Sequence, residues 1–185
     1  MKFHIRKERE SDLLYLAYHD SLTQLPNRRY LLKEFPKILA DAHTNNVCLA
    51  MLYIDGDDFK DVNDQYGHDT GDDFIRNFGN VLTASVRSHD LVIRIGGDEF
   101  IVILTGLTRD TEARNAQMMH IINRIRNELK NGWTIDDHHF APTASIGIAY
   151  YPDHAKTLDA LIDLADQALY KAKEFGKNKL YITEA

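Results

Sequence analysis

Apolar residues follow two rhythms along this chain. Leu31, Phe35, Ile38, Leu39 and Ala42 recur at the spacing of one helix face, as do Phe74, Ile75, Phe78, Val81, Leu82, Ser85 and Val86. Ala113, Met118, Ile122, Ile125 and Leu129 predict a third helix over about Thr111–Leu129. A fourth has Leu161, Ile162, Ala165, Ala168, Leu169 and Ala172 inward, with Thr157 as its cap and Gly176 closing it. Unbroken apolar runs predict strands. Val47–Ile54 reads as a buried central strand, Phe140–Tyr151 as another, and Leu180–Ile182 as a last short one. Leu91–Ile95 and Phe100–Leu104 are split by Gly96-Gly97, which predicts a hairpin with positive φ at both glycines.

The intervening segments are punctuated. Asp20–Asn27 is turn chemistry, Phe59–Tyr66 a short helix or turn, and Thr70-Gly71-Asp72-Asp73 a capping box with Thr70 as cap. Pro36 predicts a kink or an early stop in the first helix. Residues 1–19 are charged and helix-favouring, either a solvated N-terminal helix or the end of a signalling stalk. The order α-β-α-α-β-β-α-β-α-β predicts an α+β fold, its sheet antiparallel in part with helices on its faces.

Composition narrows the function. The 185 residues suit one domain with a real core, and 44% hydrophobic with 27% charged residues is ordinary for a globular protein. A net charge of −6 argues against a nonspecific binder of nucleic-acid polymer or of anionic membrane. It leaves room for a nucleotide site with a few local cations. Cys48 is the only cysteine, so no intrachain disulfide forms and a reducing, cytoplasmic setting is expected. No apolar run approaches the ~20 residues of a membrane span, and direct membrane contact is not expected in this segment. The segment would also suit the cytoplasmic part of a larger, membrane-bound regulator.

Acidic residues gather at predicted strand ends. Asp55-Gly56-Asp57-Asp58 follows the first strand, and Asp98-Glu99 follows the glycine turn. If the two strands are neighbours, these six residues converge. Hard oxygen donors without nearby cysteine or paired histidine point to Mg²⁺ or Mn²⁺ rather than zinc. A lone Asp at a strand end is more often a solvated turn residue; two clusters together favour a metal site. Asn63 and Asp72, in a loop rich in polar residues and glycine, match the donor and acceptor edge of guanine, although loop and cap roles explain them as well. Lys173 and Lys177, four apart on the last helix, either reach phosphates or answer the helix dipole. Arg87 and Asp90 bracket Ser88-His89 before the hairpin, the plain expectation there being a surface ion pair.

These stretches, in this order, resemble the GGDEF-domain diguanylate cyclases of bacteria over about residues 20–183. The resemblance rests on Asp20–Arg29, Asp55–Asp64, Gly67-His68 with Gly71-Asp72, Arg94–Phe100, Ser145–Gly147, and Ala165–Asn178. It implies a domain over 20–185 preceded by a linker or stalk helix over 1–19. It implies a five-stranded, mostly antiparallel sheet surrounded by helices, like the palm of nucleotidyl cyclases. The implied reaction condenses two GTP into cyclic di-GMP and two pyrophosphates across a homodimer. Asp55, Asp98 and the Gly56 carbonyl would bind Mg²⁺ or Mn²⁺. Glu99 would be a ligand or base, and Lys60 would stabilise charge near the phosphates. Asn63 and Asp72 would read guanine, with His68 in the nucleotide loop, and Lys173 and Lys177 would contact the triphosphate. Arg87-Ser88-His89-Asp90 matches an inhibitory RxxD element, implying inhibition by cyclic di-GMP. Gly56, Asp58 and Lys177 depart from the common pattern, which bears on affinity and metal preference. The rival expectations are a degenerate nucleotide-sensing module and a cyclase making another cyclic nucleotide; Asp72 as a carboxylate favours guanine.

Overall fold

The computed structural model describes residues 13–184. Five strands form one sheet in the order β2-β3-β1-β6-β7, where β1 is Cys48–Gly56, β2 Leu91–Gly96, β3 Glu99–Leu107, β6 Ala144–Tyr151 and β7 Leu180–Ile182. Every pairing is antiparallel except β6 with β7. β4 (Trp133–Ile135) and β5 (His138–Phe140) make a separate small hairpin. The helices are α1 (Arg28–Thr44), α2 (Phe59–Tyr66), α3 (His68–Ser85), α4 (Thr111–Asn131) and α5 (Leu158–Glu174). The expected α+β class and mixed sheet are those observed.

β1 is buried at all nine positions because it is central and covered on both faces. Its alternate residues divide between two cores. Ala50, Leu52 and Ile54 pack with Phe74, Phe78 and Leu82 of α3 and Ile122 and Ile125 of α4. Leu49, Met51 and Tyr53 pack with Leu31 and Phe35 of α1 and Leu161, Ala165 and Leu169 of α5. The sheet is therefore the middle of three layers. Gly147 lets α5 lie close on β6, since a Cβ there would stand 2.8 Å from the Ala168 carbonyl carbon. That approach places the C-terminal end of α5 beside the end of β1.

Several expectations fail for identifiable reasons. α1 continues through Pro36. Pro36 and Leu32 both lie on the exposed face, so the missing hydrogen bond opens toward water while Leu31, Phe35 and Ala42 keep the inner stripe buried. α3 begins at His68, not after Thr70, and its N-cap is Gly67 at φ 87° without a side-chain cap bond. Glycine's tolerance of positive φ reverses the chain between α2 and α3 without the capping box. The expected strand Phe140–Tyr151 breaks at Ala141–Thr143, and β4 and β5 are joined by Asp136 and Asp137, both at positive φ, as a two-residue hairpin turn requires. On α4 the inward residue is Arg114 rather than Ala113. Lys177 lies beyond the end of α5 in a turn, at φ 56°, so it does not share a helix face with Lys173.

At the N-terminal end, residues 13–18 are helical, with Leu13, Leu14 and Leu16 exposed. The remainder of the segment 1–19 expected to be a stalk, residues 1–12, lies outside the described residues. Asn27 ties residues 13–18 to the domain: its backbone N–H and its Nδ2 donate to the carbonyls of Tyr18 (2.9 Å) and Ala17 (3.0 Å), while its Oδ1 caps α1 through Arg29 and Tyr30.

Candidate functional site

The acidic residues meet because β1 and β3 pair with Asp55 opposite Glu99. The turn between β2 and β3 lies one residue further along than the glycine pair suggests. Gly96 pairs with Glu99, so the central residues are Gly97 and Asp98, and only Gly97 has positive φ (52°). That matches a II′ turn, with glycine at its first central position. Asp98 therefore sits in the turn itself, its carbonyl accepting from the Gly56 N–H at 3.3 Å.

Arg94 holds this turn from behind. Its Nε and Nη2 donate to the Gly97 carbonyl at 3.1 and 2.9 Å, and its Nη1 donates to Asp20 Oδ1 at 2.8 Å. Burial would raise the Asp20 carboxyl, but the bonds from Arg94 and Thr23 outweigh it and hold the carboxyl below its ordinary range. In the sequence the role of Arg94 is signalled only by a charge inside the apolar run Leu91–Ile95.

A cavity of about 440 Å³ opens at this end of the sheet, lined by Asp55, Gly56, Asp57, Asp58, Lys60, Asp98, Lys173 and Lys177 among others. Lys173 Nζ lies 2.8 Å from Asp55 Oδ2, and Lys177 pairs with Asp58. Burial pushes the Asp98 carboxyl above the usual carboxylate range, and the Asp55 charge adds to it. Burial likewise raises Glu99, with Asp55, Asp98 and Asp166 contributing. The Tyr53 hydroxyl, beside Glu99 on the same face, is pushed up to about 12 by burial and by that carboxylate.

Five of the six acidic-run residues line this cavity and Glu99 pairs beside Asp55, but not all are free to take a ligand. Asp57 braces the fold, its Oδ1 accepting from Ser145 Oγ (2.7 Å) and its Oδ2 from Thr143 Oγ1 (2.6 Å) and the Asn178 N–H (2.9 Å). It fastens the turn after α5 to the start of β6. Asp58 adopts φ 61° and turns to Lys177. Among the described residues no group of three or more His, Cys, Asp or Glu side chains forms a ready metal cluster. What remains is Asp55, Asp98 and the carbonyl of Gly56, with Glu99 adjoining. This set fits a hard divalent cation: all donors are oxygen, and the Asp98 and Glu99 carboxyls, raised first by burial and then by neighbouring carboxylates, would gain from a nearby positive charge. A Cβ at Gly56 would meet Asp98 Cβ and Phe78 only at 3.7 Å, so glycine is not enforced there by crowding.

The other expected site residues lie outside this cavity. Asn63 packs from α2 against Gly71 of α3, where a Cβ would stand 2.9 Å from Asn63 Cγ. Asp72 follows in the first turns of α3, exposed, and His68 opens the same helix, also exposed. The structure thus brings Asn63 and the Gly71-Asp72 segment together, but neither Asn63, Asp72 nor His68 lines the acidic cavity. Arg87 and Asp90 stand at the far end of β2, about 20 Å along a strand of that length. They form no side-chain ion pair. The Asp90 side chain is 1% exposed, and its oxygens accept from the backbone N–H groups of Arg87 and Thr105, both at 2.9 Å. Among the described residues no helix is long and apolar enough to cross a membrane.

The chain is similar to known proteins along most of its length. The family described as "Diguanylate cyclase, GGDEF domain" matches residues 17–179. Diguanylate cyclase TpbB of Pseudomonas aeruginosa is 37% identical over 179 residues, and diguanylate cyclase DosC of Escherichia coli K12 is 38% identical over 167. The matches take in 96% and 90% of this chain but only 40% and 35% of those relatives. Among solved structures, the GGDEF domain of YfiN (TpbB) from P. aeruginosa superposes with a TM-score of 0.81 at 36% identity, covering 88% of this chain and 99% of that one. The coiled coil and GGDEF domain of DgcB from Caulobacter crescentus, in complex with c-di-GMP, gives 0.84 at 25% identity, covering 98% and 94%.

Proposed function

The chain belongs to the GGDEF family of diguanylate cyclase domains, and on that footing we propose that it condenses two GTP into cyclic di-GMP and two pyrophosphates. The observation that carries the reading is the meeting of Asp55, Asp98 and Glu99 with Lys60, Lys173 and Lys177 at one end of the sheet. Opposite charges at that density suit a triphosphate and its counter-cation better than they suit a core.

Asp55, Asp98 and the Gly56 carbonyl would hold Mg²⁺ or Mn²⁺. When bound, the cation would supply Lewis-acid stabilisation of the attacking 3′-oxygen and the leaving pyrophosphate. Glu99, with its raised carboxyl, is the group suited to accept the hydroxyl proton. Lys173 would exchange Asp55 for phosphate oxygens, and Lys177 would do the same from Asp58. Lys60, exposed at the cavity rim, would share the phosphate charge. Asn63 and Asp72 would read the guanine edge, with His68 beside them in the nucleotide loop. Arg94 fixes the turn on which Asp98 rides, so the protein's contribution is largely positioning and electrostatics.

One cavity holds one nucleotide, so two chains must face each other to supply both reacting halves. Residues 1–19 would serve as the linker or stalk helix ahead of the domain, and exposed Leu13, Leu14 and Leu16 give that helix an apolar side. Arg87 would bind cyclic di-GMP as an inhibitor, its exposed guanidinium suited to a guanine edge. The DgcB neighbour, solved with c-di-GMP, supports a product-binding role for the fold. With its bracing bonds, Asp90 would shape the Arg87 turn.

Incubation with GTP or ATP and Mg²⁺ across a range of protein concentrations, followed by chromatography, tests the reading. Cyclic di-GMP from GTP alone, with specific activity rising with protein concentration, is expected. A different cyclic nucleotide, or nucleotide binding without turnover at any concentration, refutes it.

A further inference from the structure

A second cavity, of about 270 Å³, lies apart from the acidic centre between α4 and the segment leading into β6. Arg126 and Lys130 project into its lining from successive turns of α4, with Asn127 between them and Thr143 and Asn178 opposite. The only charged side chains there are these two cations, in a chain whose net charge is −6. Like charges four apart on a helix repel, and among the described residues neither has a carboxylate partner within 4 Å. Arg126 Nε is buried without a hydrogen-bond partner, and its Nη2 reaches only the Asn178 carbonyl, at 3.4 Å. A place in the last turn of α4 explains Lys130 through the helix dipole. It does not explain an arginine whose Nε is buried and unmatched.

We infer that this cavity binds a small phosphate-bearing anion. The arginine fork and the lysine point charge are the pair that phosphate oxygens select, and Asn127, Asn178 and Thr143 add neutral polar groups around them. The volume falls below the ~300 Å³ of ordinary drug-sized sites, so it suits one or two phosphate groups rather than a whole dinucleotide. The site has a route to the acidic centre. Asn178 gives its N–H to Asp57, and its neighbour Lys177 pairs with Asp58. An anion that draws Arg126 from the Asn178 carbonyl loosens the turn carrying Lys177.

The test is a ¹⁵N NMR titration of the metal-free protein with inorganic phosphate, against sodium chloride at matched ionic strength. Saturable shifts are expected at the amides of Asn127, Ala144 and Asn178. In Arg126→Gln and Lys130→Gln the affinity falls about tenfold or more, the scale of losing a charge-assisted hydrogen bond. Lys130 is exposed, so that variant keeps its fold. Shifts that merely follow ionic strength overturn the inference. So do shifts centred on Lys173 and Lys177, or a folded Lys130→Gln protein with undiminished affinity. Because no turnover is read, the result is independent of the proposed cyclase activity.

Discussion

Gly71→Ala gives a sharp test of how guanine is read. Gly71 is buried inside α3, and a Cβ there would stand 2.9 Å from Asn63 Cγ, against an ordinary contact of 3.4–4 Å. The nearest atom, Asn63 Oδ1, would overlap that Cβ outright, so the amide must swing away by about 1.5 Å, enough to spoil hydrogen bonds whose useful range is narrow. Losing one or two such bonds costs about 1–3 kcal/mol, or roughly 5- to 150-fold in kcat/KM for GTP. The helix itself gains up to ~1 kcal/mol from alanine over glycine, so Tm should hold or rise slightly. Pyrophosphate-release kinetics and a thermal melt read the two effects separately. A double-mutant cycle then ties them to Asn63: Gly71→Ala should add little on top of Asn63→Ala. A well-folded Gly71→Ala enzyme with wild-type kcat/KM, or fully additive losses in the cycle, refutes the reasoning.

Asp57→Asn should destabilise the domain, because an amide places a donor where a carboxylate now accepts three bonds. The expected loss is about 1–3 kcal/mol, seen as a Tm drop of roughly 3–10 °C; an unchanged Tm removes Asp57 as a brace. His154 accepts from the Tyr150 N–H through Nδ1, and burial pushes its pKa below the ordinary 6.5. The unfolded chain then holds more protons between the folded value and 6.5, so stability is lost as pH falls below 6.5. The Tm difference between pH 7.5 and 5.5 should narrow in His154→Asn, and equal differences in the two proteins exclude this group. Arg87→Ala should relieve inhibition by added cyclic di-GMP while leaving the initial rate intact, and an unchanged inhibition curve ends that assignment.

The fold was legible wherever a single periodicity decided it. β1, the β2–β3 hairpin and the inner stripe of α5 follow from side chains that alternate or recur along one element. What escaped depended on backbone freedom or on distant partners. The start of α3 turns on Gly67 rather than on the better-looking cap at Thr70. The β4–β5 hairpin is built on two left-handed aspartates, a weaker signal than Asn-Gly. Around the site, Asp55 and Asp98 were recognisable from their strand-end positions. No local pattern separates them from Asp57, whose partners Thr143, Ser145 and Asn178 lie some 90 to 120 residues away. Arg94 escaped for the same reason, since its bond to Asp20 spans 74 positions.

The central claim is that the acidic end of the sheet is the catalytic centre. It is tested most directly by the rate of cyclic di-GMP formation from GTP and Mg²⁺ in Asp98→Ala beside the wild type, both verified as folded. Asp98 is half-buried in a turn held by backbone bonds to its neighbours, so its removal should leave the melting curve intact. The rate should fall by at least about a hundredfold, the scale of losing one group that stabilises transition-state charge. A folded Asp98→Ala protein that makes cyclic di-GMP at the wild-type rate would contradict the account.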